Sequence, residues 1–508
     1  MSAVGSIMTN TGALQALNSI ATTSANTNNL QSQLSSGLSI NSPANNPAGY
    51  ITAQGFTSQL NGITQAISNA NQGVSLLQTA QGAISQQIGV TQQLNSIAVQ
   101  AANGTQTASE SQSLQNLVGQ LTGQVSTIAN QTQFNNINLL NGSFSGVQLQ
   151  VGANEGQTTS LSIANTNASA IGMYHSSASA TAYTGTNGTA SNGQFGSAAI
   201  KLGAPTPAAG GATVGSFTAG TATITGSNGQ TEKVTSTAGM SAATLASAIN
   251  TVSGQGGVSA QAYTQASFQL ATGTGGQIAF SIQAGTGKGT SSGIGTAQTI
   301  VASSGAGVVS EINSQSSTSG ITASLDKNNN LVLTQAAGQN INITGASSGS
   351  LTAVDSKGTA LTSAQVIKTG AASAVIQGQV QLQSSGTFSV ANGSAIGVKG
   401  ASKLAALSDM NVSTAKGANA ALNVVKYSLG TLNNQGGQLG AVQQALTANI
   451  NNLNATSQNV TTALGVVQDA NIPMVANQLT SAQIQAQSGV AALKSSTQLQ
   501  QSYLSLLP

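Results

Sequence analysis

The chain holds one histidine, His175, no cysteine and only eight carboxylates, four Asp and four Glu. A general base or a zinc ligand at His175 needs partner groups at suitable spacing, and the sequence signals none. The absence of cysteine removes disulfides, thiolate metal sites and Cys nucleophiles. Ser and Thr are abundant, but a nucleophile needs a base and an oxyanion site, and no Gly-x-Ser-x-Gly elbow stands out. No His-Glu-x-x-His occurs, and the glycine-rich stretches lack the Lys-Ser/Thr ending of a phosphate loop. No enzyme chemistry, cofactor or metal is expected. Eleven Lys, no Arg and a net charge of +3, with no basic cluster, argue against nucleic acid. No apolar run approaches the ~18 residues that span a bilayer, so no membrane insertion is expected. The first residues, Met1 to Ser6, lack the basic and apolar parts of a cleaved export signal.

What the residue types can do is pack. Ala418, Val425, Leu432, Leu439, Leu446, Leu453, Val460 and Val467 are each seven apart. Phe56, Ile63, Ala70, Leu77, Ile84 and Ala98 keep the same beat near the other end, with a polar beat at Thr91. A strict seven-residue apolar repeat winds a seam onto a helix that another helix buries. The positions Phe56, Ile63, Leu77, Ile84, Leu439, Leu446, Leu453, Val460 and Val467 form the candidate assembly seam. Leu60, Ile67, Val74 and Ile88 make a second stripe beside it, as packing against two partners requires. The fold class is α+β: N- and C-terminal helices paired into a coiled-coil-like rod, with β-rich outer domains inserted.

The breaks set the elements. A thin helix over 1–36 carries Ile7, Leu14, Leu17, Leu30 and Leu34, and Gly37, Pro43, Pro47 and Gly49 end it. A long helix spans 50–102 and a third about 109–130. Val147 to Val151 alternates as a hairpin strand. In the middle, Leu245-Ala-Ser-Ala-Ile249-Asn250, Gly257 to Ala260, Phe268-Gln-Leu270 and Ile278-Ala-Phe280 recur 63 residues later. The counterparts are Val308 to Asn313, Gly320 to Ala323, Leu331-Val-Leu333 and Ile341-Asn-Ile343. Each unit reads as a short helix followed by three strands, giving two similar α+β lobes. Helix resumes near Val412 and runs through Val467, and Pro473 in a first turn starts a last helix around Asn471.

Leu34-Ser-Ser-Gly37-Leu38 with Ile40-Asn-Ser42 resembles the first breaker of bacterial flagellins. Asn69-Ala-Asn71 with Gly73 resembles the next helix of that family, and Gln131-Thr-Gln-Phe-Asn135 and Gln150-Val-Gly-Ala-Asn154 also match it. At the other end Leu439-Gly-Ala441, Ala482-Gln-Ile484 and Leu504-Ser-Leu-Leu507 match. The resemblance covers roughly 1–175 and 405–508. The chain departs where the family is charged, with Asn45, Asn46, Asn95, Ser96, Gly436, Ala445, Asn471 and Val475 at such places.

The resemblance implies a structural subunit that self-assembles into the flagellar filament for swimming. It also implies travel through the flagellar export apparatus, an export chaperone, a filament cap and an extracellular destination. Its domains would be 1–45 and 469–508 for the inner helical core, 46–175 with a small hairpin and 405–468 for the rod, and 176–404 for the variable outer region. That outer region, dense in Ser and Thr, would face the medium and carry O-linked glycans. The alternatives are a hook–filament junction protein, with the same terminal helices in a short ring, and a secreted adhesin that presents the middle segment.

Overall fold

The computed structural model describes residues 10–103, 105–178, 199–202, 217, 219–237, 240–253, 257–285, 293–354, 366–368 and 374–504. The Ile7 position, the Leu504 motif beyond that residue and much of the Ser/Thr-rich outer segment lie outside them. Eight helices are described: α1 (Thr11–Ser36), α2 (Pro47–Ala102), α3 (Ala108–Gln131), α4 (Ala242–Val252), α5 (Gly305–Ser314), the single turn α6 (Ser316–Ser319), α7 (Ala415–Gln468) and α8 (Ile472–Leu504). Terminal helices with a β-rich middle are the expected class. The chain forms two compact units, one of residues 1–79, 144–162 and 438–508, the other of 80–143 and 163–437.

In the first unit α1 pairs with α8. Asn10, the N-cap of α1, receives a hydrogen bond from the Ser496 hydroxyl (3.0 Å) and donates to the Ser496 carbonyl (3.2 Å). At the opposite end the break after α1 lies against the break between α7 and α8. Gly37 closes α1 in the left-handed conformation (φ 74°), which glycine adopts without strain. Beyond it Ser39 N–H donates to the Gln468 carbonyl (2.7 Å), and Ala470 N–H to that of Gly37 (2.9 Å). Each break thus satisfies backbone groups that the other leaves open. Pro47 does not belong to the first break. It opens α2 behind the cap Asn46, whose side chain accepts from Gly49 N–H (3.0 Å), because a first turn needs no amide from proline. Asn471 caps α8 in the same way, accepting from Met474 N–H (3.2 Å).

The helix α1 does not use all its large residues as the sequence suggests. Leu14 and Leu17 are about half exposed, while Ala13, Ala16, Ile20, Thr23, Thr27 and Leu30 form its half-buried face. Small residues let two thin helices approach closely, and the leucines are left outside.

In the second unit α3 starts on a capping box. The Glu110 carboxylate accepts from Thr107 N–H (2.7 Å) and Oγ1 (2.8 Å). Gln115, one turn on, clamps the chain that leads into α7: its Nε2 donates to the Met410 carbonyl (3.0 Å) and its Oε1 accepts from Val412 N–H (2.6 Å).

The repeat in the middle is realised bond for bond. Ser241 caps α4 and Ser304 caps α5. Asn250 Nδ2 donates to the Ala260 carbonyl (2.8 Å) and its Oδ1 accepts from Ala260 N–H (2.7 Å). Asn313 holds Ala323 with the same two bonds (2.9 and 2.8 Å). Each helix end is pinned to its following strand by one amide.

The two copies differ at one point. The second has three strands, Ile321–Leu325, Leu331–Gln335 and Asn340–Ser348, whereas the first runs as one 14-residue strand, Val258–Ala271, and then Ile278–Gly285. The second copy carries a turn, Asp326 to Asn330, in which the Asp326 carboxylate accepts from Asn328 N–H, Asn330 N–H and Asn330 Nδ2. At the corresponding place the first copy has Tyr263-Thr-Gln-Ala-Ser267, with no Asp or Asn to make that turn, and the strand alternation continues through it.

The long strand serves two cores. Val258, Ala260 and Ala262 pack with Leu245, Ile249 and Leu382, while Ala266 and Phe268 pack with Val308, Ile312 and Leu331. It lies inside an eleven-stranded sheet, beside a five-stranded one, and every described pairing in them is antiparallel.

Candidate assembly surface

The heptad residues divide into two groups. Ile63, Leu77, Ile84, Leu439, Leu446 and Val460 are buried within the single chain, whereas Phe56, Leu453 and Val467 are only half buried. In the first unit α2 meets its neighbours closely at Gly73. A Cβ there would lie 2.5 Å from Leu149 Cδ2 and 3.2 Å from Leu446 Cδ1, so any side chain at this position would displace the leucine ends packed on it. Leu149 belongs to a hairpin, Val147–Gln150 paired with Thr158–Leu161, which lies along α2. Asn69 Nδ2 fastens it through the Gln150 carbonyl (3.1 Å).

The buried companion line on α2 is three residues on from the first: Ala66, Gly73, Ala80, Gln87, Leu94 and Ala101. Its members are small or polar except Leu94, so a search for large apolar residues passes over it. Leu60, Ile67, Val74 and Ile88 form a half-buried flank beside that seam. Ile51 is 73% exposed on the same helix.

This flank is free of charge. No charged side chain occurs in α1 or α2, and α8 carries only Lys494. The hydroxyls of Thr52, Thr57, Thr64, Ser75 and Thr79 each donate to the carbonyl four residues back, at 2.8–3.0 Å. Their protons are already used, so covering them costs little desolvation. The surface can bury apolar area against a neighbour without stripping water from ions, and it can do little else chemically.

The few ionisable groups sit elsewhere. His175, on the strand Gly172–Ala178, is paired in register with Gln383 and Lys403. Burial holds its imidazole below the ordinary value, a hydrogen bond with the Met173 backbone opposes that, and the Lys403 charge adds to the lowering. Burial pulls the Asp326 carboxyl up, but the hydrogen bonds from Asn330 and Asn328 outweigh it and leave it lowered. The Thr107 backbone and hydroxyl hold the Glu110 carboxyl below its usual range. Among the described residues no group of three His, Asp or Glu could hold a metal ion, and no helix is long and apolar enough to cross a membrane.

Sequence reasoning gives no role to four polar residues that organise the second unit: Gln87, Gln115 and the paired Asn250 and Asn313. Only the last pair left a signal, since both lie inside the repeated segments.

Comparison with known proteins finds three kinds of family region along the chain. Residues 7–145 match the bacterial flagellin N-terminal helical region, and 422–507 match the C-terminal helical region. Residues 223–274 and 279–337 each match the flagellin hook IN motif. A B-type flagellin of Pseudomonas aeruginosa is 30% identical over 515 residues, covering 99% of each chain. A flagellin of Xenorhabdus nematophila is 36% identical over 167 residues, covering 33% of this chain and 53% of that one. The solved structure of FliC from Burkholderia pseudomallei matches at 18% identity over 74% of this chain and 99% of its own, with a TM-score of 0.29. Similarity that runs from end to end of a flagellin, with both terminal helical regions in place, shows that this chain belongs to the bacterial flagellin family and is a structural subunit of the flagellar filament.

Proposed function

We propose that the heptad stripe serves the filament in two ways. Its buried members, Ile63, Leu77, Ile84, Leu439, Leu446 and Val460, hold the helices of one subunit together. Its half-exposed members, Phe56, Leu453 and Val467, and the flank Leu60, Ile67, Val74 and Ile88 meet neighbouring copies. The observation that carries this reading is a half-exposed apolar flank on a 56-residue helix without a single charge. Residues 1–45 and 469–508 act as the inner core, 46–175 and 405–468 as the rod, and 176–404 as the outward segment. The subunit leaves the cell through the flagellar export apparatus, with an export chaperone before and a filament cap at the growing end, and its outer Ser and Thr residues accept O-linked glycans.

The test is Ile67→Glu. It adds a charge at a half-exposed site, so the monomer keeps its helical circular dichroism while electron microscopy shows no filaments. Val301→Glu, on an exposed outer strand, is the control and still polymerises. Normal filaments from Ile67→Glu refute the flank as a subunit contact.

A further inference from the structure

The helix pair of the second unit contains a polar step that the assembly reading does not use. Ile84 Cγ2 lies 3.9 Å from where a Cβ on Gly436 would stand. The Gln115 clamp holds the residues just before α7 against the start of α3, a few residues past the end of α2, so α2 and α7 run antiparallel here. Heptads in that register place Thr91 across from Ser428, Gln87 across from Leu432 and Ile84 across from Gln435. All six are buried, Gln87 and Thr91 at 0% and Gln435 at 6% exposure.

The hydroxyls are satisfied on their own helices. Thr91 Oγ1 donates to the Gln87 carbonyl (2.7 Å) and Ser428 Oγ to that of Val424 (2.8 Å). Gln87 Nε2 is also satisfied, donating to the carbonyls of Val125 (3.0 Å) and Thr166 (3.3 Å). Two atoms have no partner: Gln87 Oε1 and Gln435 Nε2. One is an acceptor and the other a donor, and they occupy successive layers of the same seam. A buried polar atom left unpaired is costly, and a trapped water commonly closes such a gap.

We propose that Gln87 Oε1 and Gln435 Nε2 are joined through one buried water, and that this polar layer admits a single register of α2 against α7. An apolar seam of small residues is compatible with neighbouring registers, whereas a polar layer is satisfied in one and broken in the rest.

The test is a double-mutant cycle on the full chain with Gln87→Leu and Gln435→Leu. Each single variant strands the other amide, and the unfolding constant of the monomer rises about ten-fold, ~1.4 kcal/mol. The double variant strands neither amide and is as stable as Gln87→Leu alone within about three-fold, since the bonds to Val125 and Thr166 are lost in both. Spin labels on Gln93→Cys and Lys426→Cys read the register, since the chain has no cysteine of its own. They give one distance in the starting background and an added population toward a slip of one heptad, ~10 Å, in the double leucine background. Single-variant effects that multiply to about a hundred-fold, or one unchanged distance in the double variant, overturn the proposal. If a leucine variant fails to fold, a high-resolution map of the unmodified filament decides. Density for a water within hydrogen-bond reach of both atoms upholds it, and two amides with separate partners overturn it.

Discussion

Leu446→Ala is the sharpest probe of the packing in the first unit. Leu446 is 1% exposed and faces Gly73, which has no side chain to move into the space left behind. Leu→Ala in a core costs ~2.7–5 kcal/mol, more where the walls cannot collapse, and the glycine wall places this site near ~4 kcal/mol. At two to four degrees per kcal/mol for a unit of this size, the helical melt falls by about 8–16 °C. Leu453→Ala is the matched comparison, one heptad on along the same helix and only half buried. With the same change in helix propensity it costs ~1–2 kcal/mol, about 2–8 °C. Leu446→Met conserves volume and stays within ~1.5 kcal/mol. The assay is thermal circular dichroism at 222 nm on depolymerised protein, read for the helical transition because the two units need not melt together. Equal losses from Leu446→Ala and Leu453→Ala refute the division of the stripe into buried and half-exposed members.

Acid should spare the helices. Glu110 and Asp326 have lowered carboxyl values, so their stabilisation is present above the ordinary carboxylate range and lost as pH falls through those values; one serves a helix cap and the other a hairpin turn. No carboxylate lies on the heptad seam, and full protonation takes the formal charge only from +3 to +12, the sum of eleven Lys and one His. Filaments therefore keep their light scattering and helical dichroism down to about pH 3, and depolymerisation near pH 4 refutes this. His175 acts earlier: held neutral by burial, it favours folding less as pH falls from its ordinary 6.5 through its lowered value. The outer transition should weaken over that range and cease to do so in His175→Gln. Asn313→Ala removes both bonds to Ala323 and leaves that backbone unpaired, costing ~1–3 kcal/mol in the lobe that contains Leu331. Asn250→Ala should do the same in the other lobe, and near-neutral melts for both refute the clamp. In depolymerised protein, amide exchange across α1 and α8 should be far faster than across Ile63 to Ile84, because α1 has no buried residue; equal protection contradicts this.

Much of the helical part is legible because its signals are local. Gly37, Pro473 and Asn471 act within one turn, and the seven-residue beat needs only a straight helix. The repeat is legible from matched residues, and Asn250 and Asn313 make the same pair of bonds in the two copies. What escapes is whatever depends on a partner distant in sequence. The packing role of Gly73 shows only once Leu446 and Leu149 are brought against that face of α2. Gln87, Gln115 and Gln435 are ordinary helix residues in sequence, and only tertiary packing buries or engages them. The single long strand Val258–Ala271 follows from a missing turn residue, a negative signal that matched repeats conceal. Strand order in the two sheets is set by contacts across hundreds of residues, which periodicity does not encode.

In the proposed filament one subunit buries its own seam and offers the flank beside it to its neighbours. A cryo-electron microscopy map of the filament tests this most directly. Leu77, Leu439 and Leu446 should keep the burial they have within one chain, while Leu60, Ile67, Val74 and Ile88 should lose their remaining exposure against an adjacent copy. A map in which that flank faces solvent, or in which the seam leucines pair between chains, contradicts it.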